Sequence, residues 1–174
     1  MDEARIQTAL YNYLLRKGQE IILPNISWSW LPWEADLISI TKAKYMYEFE
    51  IKISRADFEH DFLKRKHNTL KRISINPQWR NLRIPNYFCY VAPIKAIPIC
   101  VPDYAGIYQV YPNTGRYKHL LSISEVRKPA LLHREKQTPD TIYKMMRTLM
   151  FKYWGLAQRL EHIKIQRNIF QREE

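Results

Sequence analysis

From residue 45 to residue 54 the chain alternates without a break. Tyr45, Tyr47, Phe49, Ile51 and Ile53 fall on one side of an extended backbone, and Met46, Glu48, Glu50, Lys52 and Ser54 on the other. A helix would scatter these positions around its axis, so the pattern predicts a strand with one apolar and one charged face. Residues 34–41 read as a second strand, and Lys42, Ala43 and Lys44 form a connection of the length of a three-residue hairpin loop. Such a loop pairs residues whose numbers sum to 86, which sets Asp36 opposite Glu50, Glu34 opposite Lys52 and Ile38 opposite Glu48.

Two carboxylates facing each other across an antiparallel pair destabilise it, and partial burial raises their pKa values unless a positive charge compensates. A divalent cation is the natural compensator. Two or three carboxylate oxygens plus water suit Mg²⁺, which keeps several waters and takes phosphate oxygens as its remaining ligands. Lys52, two residues from Glu50 on the same side, would hold or deprotonate a water, or stabilise charge developing on a phosphoryl group. The competing reading is a solvated hairpin face whose pairs, Glu34 with Lys52 among them, are ordinary cross-strand ion pairs.

The remaining segments predict the setting of that hairpin. Residues 4–17 carry Ile6, Ala9, Leu10, Tyr13 and Leu14 at helical spacing, with Gly18 as a stop signal. An apolar run over residues 21–30 predicts a strand, and Ser54 with Asp57 forms a cap ahead of a helix of about fourteen to eighteen residues. Residues 86–92 and 105–111 predict two further strands, and residues 112–137 carry the weakest signals. Thr138 and Pro139 open a long helix with an apolar stripe from Ile142 to Ile163. This order predicts an α/β fold, a mixed sheet flanked by helices with a long C-terminal helix. Trp28, Trp30 and Trp33 are expected in packing roles, because no basic residues alternate with them as they do on base-stacking platforms.

Asp36, then Glu50-Ile51-Lys52, on a hairpin between a first helix and a capped helix, resemble the PD-(D/E)XK nuclease superfamily. The runs E-A-D-L-I-S-I over residues 34–40 and E-I-K-I-S-R-A-D-F over residues 50–58, followed by Asp61, are similar to its MmcB-like, DNA-repair-associated branch. The likeness covers residues 5–111, leaving residues 138–170 as a helical extension of a single 174-residue domain. It implies a restriction-endonuclease-like sheet and a metal-dependent DNA nuclease, with Asp36 and Glu50 as metal ligands and the Ile51 carbonyl as another. Lys52 is then the catalytic lysine, and Mg²⁺ the cofactor, with Mn²⁺ as its substitute. The superfamily often adds an acid from the first helix, for which Glu3 is the candidate, and Glu34 is a second acid near the hairpin. The proline that usually precedes the first motif aspartate is replaced by Ala35. Asp57 and Asp61, one helical turn apart, either support the site or cap and pair within their own helix, and the second role is the one expected. By analogy with the superfamily, a homodimer is also expected.

The charge distribution points to the same kind of partner. Lys and Arg number 28 against 17 Asp and Glu, a net charge of +11. Residues 61–174 hold 21 of the basic and only 8 of the acidic side chains. An excess of that size implies a polyanion, DNA first, unless it serves only solubility. Lys64, Lys66, Lys71 and Arg72, where the second helix should end, and Arg80 beyond it are the expected nucleic-acid contacts. A fold retained for DNA binding without catalysis is the alternative function. With no run of about eighteen apolar residues, no membrane segment is expected. Cys89 and Cys100 form no C-x-x-C pair, and a cytoplasmic location is expected.

Overall fold

The computed structural model describes residues 2–26, 33–76, 84–114, 116 and 120–170. Trp28, Trp30 and Arg80 lie outside them.

Helix α1 (Glu3–Arg16) is capped by Asp2, whose side chain accepts from the Arg5 amide at 2.9 Å, and closes at Gly18, where φ is +74°. Strands β1 (Ile21–Ile26), β2 (Ala35–Ile40) and β3 (Met46–Ile51) follow as an antiparallel meander. The β2–β3 register is the expected one: Leu37 pairs with Phe49, Ile38 with Glu48, Ser39 with Tyr47 and Ile40 with Met46. Lys44 takes φ +67° in the connecting loop, the left-handed residue that a three-residue hairpin needs. Two helices, α2 (Arg55–Asp61) and α3 (Arg65–Ile75), then lead to β4 (Tyr87–Pro93), parallel to β3, and to β5 (Ala105–Pro112), parallel to β4. An antiparallel edge strand, β6 (Leu121–Arg127), completes a six-stranded mixed sheet in sequential order.

Two departures from the sequence reading shape the site. The helix expected after Ser54 is divided at Phe62–Lys64 into α2 and α3, although its cap forms as expected: the Ser54 hydroxyl accepts from the Asp57 amide at 3.2 Å. Strand β6 lies within the segment whose signals were weakest, because Leu121–Arg127 is a half-exposed edge with only Ile123 buried.

The sheet carries a core on each face. One gathers Ile6, Leu10 and Leu14 of α1 over Leu37, Phe49, Val91 and Tyr108. The other gathers Phe58 of α2 and Leu70 and Ile73 of α3 over Phe88, Tyr90 and Ala92. The apolar side of β3 thus packs under α1, and its charged side lies under α2 and α3.

Asn86, fully buried ahead of β4, accepts from the Met46 amide at 2.7 Å and donates to the His133 and Glu135 carbonyls at 2.9 and 2.8 Å. It ties the segment after β6 to the start of β3. Asn86→Ala leaves the buried Met46 amide and His133 carbonyl without this partner, so urea denaturation should report a loss of about 2–4 kcal/mol.

The chain divides into two compact units, Met1–Thr138 and Pro139–Glu174. The second is helix α4 (Pro139–Phe170), which starts at the expected proline, runs through Gly155, and carries an Asp140–Lys144 ion pair at 2.7 Å one turn apart.

Candidate active site

The charged face of β3 is buried. Glu48 is 0%, Glu50 3% and Lys52 4% exposed. A solvated hairpin face would leave such groups in water; here α2 and α3 cover them, so each needs a partner inside the protein.

Asp36 supplies the first side of the site. The register, continued by one residue, sets it opposite Glu50, and its Oδ2 accepts from the Ile51 amide at 2.6 Å. Gln7 of α1 holds the same residue from behind, donating to the Asp36 carbonyl at 2.7 Å. Burial, and then the neighbouring Glu50 carboxylate, push the Asp36 carboxyl up to about 7, with a smaller push from Glu3. Among the described residues no Lys or Arg forms an ion pair with it.

Glu50 is engaged by three ammonium groups. Lys52 Nζ lies 2.8 Å and Lys64 Nζ 3.1 Å from Oε1, and Lys66 Nζ lies 2.6 Å from Oε2. The break after α2 brings the last two here: a continuous helix would have carried them away from the sheet along its axis. Behind Glu50 on the same strand face, burial pushes the Glu48 carboxyl up to about 8. Trp33 donates its indole N–H to both Glu48 oxygens at 2.9 Å, and Lys66 approaches to 3.9 Å.

Asp61, the last residue of α2, is fully buried and faces the same cluster. Its Oδ1 has Lys64 at 2.6 Å, Lys52 at 3.2 Å and Lys66 at 3.7 Å, in ion contact rather than in aligned hydrogen bonds. Its Oδ2 accepts from Tyr90 Oη at 2.9 Å and from His67 Nε2 at 2.8 Å. His67 Nδ1 in turn lies 2.7 Å from the Tyr104 hydroxyl. Burial works to raise the Asp61 pKa, but the His67 hydrogen bond and the Lys66, Lys64 and Lys52 charges prevail and hold it well below the ordinary carboxylate range.

The expected residues therefore divide. Asp36, Glu50, Ile51 and Lys52 come together. Glu34 is exposed, and its expected pairing with Lys52 does not form because Lys52 turns to Glu50 and Asp61. Lys66 is not a surface residue but a buried partner of Glu50, and Lys64 is half-exposed at the edge of the cluster. Lys71 and Arg72 are exposed on α3. Asp57 stays in its expected place at the start of α2, whereas Asp61 does not pair only within its helix. Glu48 was placed on the right face by the alternation alone, and Asp61 belonged to the run that carries the family resemblance, whereas His67, Tyr90 and Tyr104 carried no comparable signal.

The donors present fit a small hard cation. Among the described residues no three His, Cys, Asp or Glu side chains form a ready-made cage. What Asp36 and Glu50 offer is two carboxylates beside the Ile51 backbone, and Asp36, unlike Glu50, has no ammonium group in ion contact among the described residues. Magnesium, which retains waters and takes one or two carboxylates, matches that set.

The fold is similar to that of a solved structure from Silicibacter pomeroyi described as a protein of unknown function, with a TM-score of 0.58 and 14% identity over 92% of each chain. That likeness is one of fold alone. No family model and no curated protein matches the chain. No helix among the described residues is long and apolar enough to cross a membrane.

Proposed function

We propose that the chain is a Mg²⁺-dependent DNA nuclease that hydrolyses phosphodiester bonds at Asp36, Glu50 and Lys52, acting in the cytoplasm in repair or recombination. The supporting observation is a partly buried carboxylate, Asp36, with no ammonium group in ion contact among the described residues, set beside a second carboxylate, Glu50, which Lys52, Lys64 and Lys66 engage. A bound divalent cation supplies charge neutralisation at the phosphate and a lowered pKa for an attacking water. Asp36 and Glu50 would hold it, with the Ile51 carbonyl beside them.

Lys52 provides a fixed positive charge. Burial works to lower its pKa, but Glu50 and Asp61 more than reverse this and raise it above the ordinary lysine value. A lysine kept protonated is a poor general base. It is suited to neutralising charge on the phosphoryl oxygens or to donating a proton to the departing oxygen. Lys64, half-exposed beside it, can meet the incoming backbone phosphate, and Lys71 and Arg72 lie on the same helix as Lys66.

The experiment is incubation of the purified chain with single-stranded, duplex, flapped and branched DNA in Mg²⁺ or Mn²⁺, beside an Asp36→Ala/Lys52→Ala double variant. Cleavage by the wild type alone is the expected result, and equal inertness of the two proteins defeats the proposal. One observation favours a second reading, a DNA-binding module without catalysis: three lysines already neutralise Glu50. That reading predicts salt-sensitive DNA binding with no cleavage and no metal requirement.

A further inference from the structure

We infer that Asp61 is a positioning residue for Lys52, a role that rests on the nuclease reading for its catalytic meaning but not for its geometry. Lys52 is anchored at its backbone, where its amide donates to the Val91 carbonyl at 2.9 Å. Its four-carbon stem is buried and flexible by type, and one contact with Glu50 does not by itself fix where the ammonium group sits. Asp61 supplies a second fixed anion, at 3.2 Å, from a different element. Held between β3 and the end of α2, the ammonium group has its location fixed by two carboxylates that belong to opposite layers of the fold. Asp57 is a weaker third contact at 3.7 Å and is 44% exposed.

Asp61 is itself held from several elements. It has no access to water, and Tyr90 rises to its Oδ2 from β4, the strand paired with β3. His67, in the first turn of α3, binds the same oxygen and is backed by Tyr104. The Tyr104–His67–Asp61–Lys52 chain resembles the outer support of a metal ligand, but it acts on the lysine. A buried ionised carboxylate is costly, and Tyr90 from β4 and His67 from α3, the latter backed by Tyr104, keep it charged and aimed.

The test uses Asp61→Asn, which keeps the side-chain volume and removes the charge, and Tyr90→Phe, which removes one hydrogen bond to Asp61 and leaves the ring packing intact. Two quantities are read: cleavage kinetics in Mn²⁺, and the ammonium nitrogen resonance of Lys52 by NMR, assigned by its absence from Lys52→Met. In Asp61→Asn, kcat should fall by about 10- to 100-fold with KM within about threefold of wild type, as for loss of a supporting contact. The Lys52 resonance should shift or vanish, and Tyr90→Phe should show the same changes to a smaller degree. If Asp61→Asn does not fold, Tyr90→Phe decides alone. A wild-type spectrum with no ordered Lys52 ammonium, or a resonance unchanged in every folded variant, overturns the inference. A wild type that cleaves no DNA sinks the nuclease reading alone, since the resonance still reports whether Asp61 places Lys52.

Discussion

Lys52→Met is expected to slow DNA cleavage by about a thousandfold while leaving the affinity for DNA within about twofold of wild type. Methionine keeps most of the stem, which fills the space between Glu50 and Asp61, and removes only the charged end. The binding surface is carried by other residues, exposed Lys71 and Arg72 and half-exposed Lys64 among them, so salt-dependent DNA binding should persist. Glu50 would keep Lys64 and Lys66, and a thermal melt should therefore show a folded protein. Single-turnover cleavage and filter binding at one ionic strength separate the two effects. A variant that cuts as fast as wild type would remove Lys52 from the chemistry, and one that loses binding in proportion to cleavage would make it a contact rather than a catalytic group.

The parts of this arrangement legible in the sequence are those set by local periodicity. Alternation over residues 45–54 and the three-residue loop together determine which side of β3 Glu50 and Lys52 occupy and which residue of β2 Asp36 opposes; the observed pairing of Leu37 with Phe49 follows that arithmetic. Burial of the charged face was not legible, since a strand with Glu48, Glu50 and Lys52 on one side looks the same whether water or a helix covers it. Nor was the break at Phe62–Lys64, which no Gly or Pro announces. Yet that break decides where Asp61, Lys64, Lys66 and His67 go: a single helix would send Lys66 outward as a phosphate contact, and two helices turn it onto Glu50. Strand β6 escaped for a different reason. An edge strand with one buried residue has little apolar alternation to reveal it, and its place is fixed by pairing with β5.

Asp36→Asn is expected to stabilise the metal-free protein at pH 8, by about 2–4 kcal/mol, and to leave it unchanged near pH 4. The Asp36 carboxyl has a folded-state pKa of about 7 against an unfolded value of 3.8, so the folded state binds the extra proton between those limits. Its raised pKa therefore costs nothing at the low end and costs progressively more stability as pH rises through the window, reaching its full value above about 7. An amide in place of the carboxylate keeps an oxygen for the Ile51 amide and has no charge to desolvate. Paired urea melts from pH 4 to pH 8 should show the two proteins diverging as pH rises, and a gap that is constant, or of the opposite sign, would refute the account of Asp36 as a partly buried acid held back from ionising by desolvation and by Glu50. Adding Mn²⁺ at pH 8 should then raise the wild-type melting temperature and not that of the variant, because the cation supplies the positive charge that Asp36 lacks and the neutral amide does not need. The same substitution that stabilises the empty protein should therefore abolish cleavage, so that stability and activity move in opposite directions at one residue.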